Sequence, residues 1–64
     1  MPERAILREH FSEMLQLSQL AAVEYDRLAQ SAADPAARDQ MARLARDECR
    51  HVDLTERLLE IVSE

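Results

Sequence analysis

A chain of 64 residues makes at most one small domain, and at this size folding buries only about 60% of the unfolded surface. Its single cysteine, Cys49, cannot close an internal disulfide, so the staple a small scaffold needs is a metal or a second chain, and a lone thiol suits a reducing compartment. The net charge of −5, with no arginine or lysine block to offset it, argues against nucleic acid as a partner, because that binding rests on neutralising phosphates.

The chain contains no glycine and is dominated by alanine, leucine, arginine and glutamate, which predicts helix almost throughout. Met1 to Ile6 carries no apolar segment after its charges, so no signal peptide is expected there. Pro2 and Glu3 suit a helix start, and helix 1 is predicted over about 2–32. The break is Ser31-Ala32-Ala33-Asp34-Pro35, with the turn at 33–35. Proline disfavours helix in the residue before it and is welcome in the first turn of the next, and Asp34 is a suitable N-cap. Helix 2 is predicted over about 35–62, each helix being roughly 40–45 Å long at about 1.5 Å per residue. No apolar run approaches a membrane span. The expectation is one all-α domain over 1–64, a two-helix antiparallel hairpin, in the cytoplasm.

Alternating three- and four-residue spacing defines one stripe per helix. In helix 1 it reads Leu7, Phe11, Met14, Ser18, Ala21, Tyr25, Leu28, Ala32; in helix 2, Ala37, Met41, Leu44, Glu48, His51, Thr55, Leu58, Val62. Leu17 and Leu20 flank the first, and Ala42, Ala45, Cys49, Val52 and Leu59 the second. Two helices cannot bury faces that wide against each other alone, so a second copy completing a four-helix bundle is expected. Folding about Asp34-Pro35 sets residues whose numbers add to about 69 at one level, which places His51 by Ser18 and Glu48 by Ala21.

Glu48 and His51 interrupt an otherwise apolar stripe, three residues apart and on one helical face. A carboxylate and an imidazole at that spacing form the Glu-x-x-His device of di-iron bundles, and two copies would supply four ligands. Imidazole and carboxylate donors suit iron, manganese and zinc alike. The plainer alternative is a buried hydrogen-bonded pair that sets helix register. Glu24 is the nearest helix-1 carboxylate able to turn inward; its plainer role is a rim ion pair with Arg27. Tyr25 reads equally as core packing or as a hydroxyl donor behind the ligands, and Ser18 as a small neighbour of the site. His10 with Glu13 reads as a solvated face, Cys49 as a packing residue, and Met14 and Met41 as core filler.

Tyr25-Asp26, Asp34-Pro35, Asp47-Glu48 and His51 together resemble the ferritin-like superfamily, closest to the two-helix encapsulated ferritins. That resemblance implies a four-helix ferroxidase unit made by dimerisation, a dimer or ring of dimers, and an encapsulin-type shell as partner. It implies iron at Glu48 and His51, with Glu24 as a further carboxylate and Tyr25 behind them. The family's first-helix glutamate falls on Ser18 here, which removes two carboxylates per dimer. The implied activities are oxidation of ferrous iron by oxygen, or storage or binding without fast turnover. A different class of function, a non-enzymatic structural or adaptor hairpin whose Glu/His layer sets dimer register, fits the same residues.

Overall fold

The computed structural model describes residues 2–64, with side chains from residue 3 onward. Two helices, α1 (Pro2–Ser31) and α2 (Pro35–Ser63), pack side by side as a hairpin about 50 Å long. Among the described residues no helix is long and apolar enough to cross a membrane.

The turn follows from its chemistry. Asp34 is extended (φ −82°, ψ 125°), as the residue before a proline must be. Its Oδ2 accepts from the Ala37 amide at 3.2 Å, while its carbonyl accepts the first helical bond from the Arg38 amide at 2.9 Å. Pro35 supplies the preset φ of the first helical position, where no donor is needed. Arg38 then reaches back, donating from Nη2 to the Ala32 carbonyl at 3.1 Å, so a carbonyl left over at the end of α1 is satisfied from α2.

At the open end Arg4 donates to the Glu64 carbonyl, and Leu7, Ile61 and Val62 line one cleft. Arg4 with Glu64 and Leu7 with Ile61 keep the level rule of about 69 to within a residue.

The line of contact between the helices differs from the predicted stripes. Within the less exposed residues one line repeats as Phe11, Leu15, Ser18, Ala22, Tyr25, Ala29, Ala32 in α1 and Met41, Ala45, Glu48, Val52, Thr55, Leu59, Val62 in α2, with Ala21, Leu28, Ala42, Leu44, Asp47 and Leu58 half-buried beside it. Every second member of each predicted stripe holds its place: Phe11, Ser18, Tyr25 and Ala32, and Met41, Glu48, Thr55 and Val62. Ala21, Leu28, Leu44 and Leu58 are half-buried beside Ala22, Ala29, Ala45 and Leu59, whereas Met14 and His51 are exposed and yield to Leu15 and Val52. At about 100° per residue, moving every second member one place turns the mean direction by roughly 50°. Ala29, Ala45 and Thr55 are the buried residues, and no large side chain is fully buried among those described.

Small residues in the seam let the helices approach closely, since interaxial distance is set by the side chains at the contact. The displaced members turn to an adjoining face. Met14, Leu17, Ala21 and Leu28 lie to one side of the α1 seam, and Leu44, His51, Leu58 and Ile61 lie to the same rotational side of the α2 seam. Because the helices run in opposite directions, equal rotations bring both sets to one side of the hairpin. Leu7 and Ile61 meeting in the open-end cleft mark that side.

Candidate metal-binding site

Glu48 and His51 lie near the middle of α2, on either side of its midpoint. Glu48 sits at the edge of the seam with its side chain 22% exposed; His51 stands on the adjoining apolar face, 61% exposed. The two are linked: His51 Nδ1 lies 3.2 Å from Glu48 Oε1. With the proton on Nδ1, the ring donates to the carboxylate and presents the Nε2 lone pair outward, away from its own helix. The second carboxylate oxygen remains an acceptor. One hairpin thus offers one imidazole nitrogen and one carboxylate, one helical turn apart and already held together.

Asp47 lies four residues before His51, a spacing that places both on one helical face. It is half-buried, and it pairs with Arg50 at 3.6 Å. The stripe reading passed over it because it falls between heptad positions, although the four-residue interval to His51 was visible. Among the described residues no three His, Cys, Asp or Glu side chains converge as a metal group. A third ligand must therefore come from rearrangement or from outside the hairpin.

Glu24 does not join the pair within this chain. Its level on α1 matches Leu44, several residues nearer the turn, and Arg27 holds its carboxylate from Nε at 3.1 Å and Nη2 at 2.5 Å. Those hydrogen bonds, reinforced by the guanidinium charge, keep the Glu24 carboxyl below its ordinary range and raise Arg27 above its own. The ion pair is exposed on both sides, so Glu24 in the free hairpin is a rim residue with an occupied carboxylate.

Tyr25 and Ser18 both belong to the seam and are half-buried. Ser18 shares a level with Arg50, one residue from His51. Tyr25 is nearer the turn, but helical side chains lean toward their N-terminus, which carries its ring toward the level of Glu48. Cys49 is exposed and unbridged on the flank away from His51, rather than packed as its sequence position suggested. His10 and Glu13 are both exposed.

The arrangement can present two copies of a carboxylate–imidazole pair to a metal only if the two apolar faces come together. No family model matches the chain, and no curated protein or solved structure matches it.

Proposed function

We propose that this chain is a metal-binding, ferritin-like hairpin whose site is completed between subunits, with Glu48 and His51 of paired copies holding iron or a similar divalent ion. The observation that carries the reading is this hydrogen-bonded pair at mid-length of α2, Glu48 at the seam and His51 beside it on the side that also carries Leu44, Leu54 and Leu58. A lone hairpin supplies two donors, too few for a closed site, and a symmetric pair supplies four. The donors fit the metal class: one hard carboxylate oxygen and one borderline imidazole nitrogen per chain. With the proton on Nδ1, half-buried Glu48 holds the imidazole so that the Nε2 lone pair is left for a metal. The surrounding leucines would exclude water and strengthen each electrostatic contact. A bound pair of iron ions would supply the redox chemistry that oxidises ferrous iron with oxygen. With Ser18 in the first-helix position, binding or storage without fast turnover is the form of the activity this donor set supports. The compartment that follows from this reading is the cytoplasm, or the interior of a protein shell within it.

The test is metal content with a thermal melt. Purified protein given ferrous iron without oxygen should bind it and gain stability by about 2.7 kcal/mol at a hundredfold excess over Kd. That corresponds to a rise of roughly 10 °C or more for a domain this small. A Glu48→Ala/His51→Ala variant should lose both. Equal iron binding by parent and variant would end the reading.

One observation favours a second reading, the register-setting adaptor hairpin. Glu48 and His51 already satisfy each other at 3.2 Å, so the pair needs no metal to be tolerated at an interface. Under that reading the melt is indifferent to iron, while the double variant loses a unique oligomeric state.

A further inference from the structure

We infer that Asp47 is itself a metal ligand, its carboxylate and the imidazole of His51 closing on one divalent ion from adjacent turns of α2. The inference rests on the metal reading above and adds a third donor per chain to it.

At about 100° per residue, Asp47 lies roughly 40° to one side of His51 around α2, and Glu48 roughly 60° to the other. The imidazole therefore stands between two carboxylates, one in the seam and one outside it. Glu48 takes Nδ1 of the ring at 3.2 Å. With the proton there, the Nε2 lone pair is free for an ion, and Asp47 is the carboxylate that Glu48 leaves unopposed on the outer side. Residues four apart on a helix have Cβ atoms about 5–6 Å apart. An ion bonded to oxygen and nitrogen at about 2.0–2.2 Å needs those two atoms roughly 3–3.5 Å apart, a gap that an aspartate and a histidine at this spacing can close.

The Asp47 carboxylate is also available. Its side chain is 43% exposed, on the side of α2 that carries Leu44, Leu54 and Leu58. A carboxylate among leucines is penalised unless something pairs with it. Arg50 Nη1 stands 3.6 Å away, beyond hydrogen-bond reach, and that arginine is itself 79% exposed. So loose a pair holds the carboxylate weakly, and a side-chain rotation releases it. Glu24 differs, because Arg27 occupies both of its oxygens.

Charge points the same way. A neutral imidazole and one carboxylate leave a dication with a net positive charge, which is costly in a water-poor site. Asp47 brings each chain to two negative charges per divalent ion. It also restores the carboxylate that Ser18 takes from α1. Two hard oxygens with one imidazole nitrogen suit ferrous and manganous ions.

The test uses cobalt(II), which accepts the same oxygen and nitrogen donors, in a Cys49→Ser background that removes the native thiol. Asp47→Asn should weaken cobalt binding about tenfold or more. It should leave Tm without metal unchanged, because the exposed ion pair it breaks contributes little. Asp47→Cys should give the cobalt complex a thiolate-to-metal charge-transfer band, which arises only if side chain 47 touches the ion. Parental affinity in Asp47→Asn overturns the assignment. So does weakened binding with no such band in Asp47→Cys, since the carboxylate would then act only by its charge at a distance. If Asp47→Asn binds as the parent does while Glu48→Ala/His51→Ala binds nothing, this inference falls and the metal reading stands. A parent that takes up no metal ends both.

Discussion

The seam and the broad face of this hairpin are made of different side chains. The seam is lined by Ala22, Ala29, Ala45 and Thr55, with Phe11 and Tyr25 only half-buried. The face carries Met14, Leu17, Leu54 and Ile61, all largely exposed. A seam whose most buried members are Ala29, Ala45 and Thr55 brings two helices close, but those small side chains remove little apolar area from water, and burial stabilises at only about 25 cal/mol per Å². Phe11, Leu15, Tyr25, Met41 and Leu59 are half-buried in the seam, while Met14, Leu17, Leu54 and Ile61 stand outside it, where a single hairpin does not bury them. The contrast teaches that the small side chains at the centre of the seam set the spacing of the two helices, while much of the large apolar surface stays exposed on the hairpin by itself.

Putting charge on the face tests this contrast most severely. Each buried leucine is worth about 1.5–3 kcal/mol, and a dimer carries four copies of Leu17 and Leu20 together. Leu17→Asp/Leu20→Asp should lower Tm by 20 °C or more at micromolar protein and make it independent of protein concentration. A variant that melts like the parent would mean that the seam alone holds the fold.

Overfilling the seam should act differently. Ala29 is 7% exposed, and Ala29→Leu forces the helices apart at a cost of about 1–3 kcal/mol. Its signature in differential scanning calorimetry is a lower Tm that still rises with protein concentration, because the face is untouched. Should Ala29→Leu raise Tm instead, the seam is underpacked and the close approach inferred for it fails.

The cap sharpens the comparison further. Asp34→Ala removes the acceptor for the Ala37 amide and should cost about 1 kcal/mol, read by urea denaturation. It weakens the start of α2 without favouring either surface, so Ala29→Leu and Asp34→Ala should add.

The smallest effect belongs to the rim. Glu24, held below its ordinary value of 4.5 by the Arg27 hydrogen bonds, contributes stability that is present above that value and lost as pH falls through its depressed one. Exposure makes the contribution slight. Arg27→Gln should flatten the pH dependence of Tm below about pH 4.5 and leave neutral pH unchanged; a large loss at pH 7 would mean that Glu24 is engaged across an interface.

The two helices, their break, the Asp34 cap and the hairpin are legible in the residues, because each depends on neighbours within a turn or two. So is the sharing of one helical face by Glu48 and His51, which three-residue spacing dictates. The partner of each side chain is not legible. A stripe alternating three and four covers a wide arc, and residues half a step apart fall within it equally well. Met14 and Leu15, or His51 and Val52, compete for the seam, and only contact with the other helix decides between them. The structure chose Leu15 and Val52 together with Ala29 and Ala45, because two close helices meet along a narrow line, and that choice turned Met14 and His51 outward.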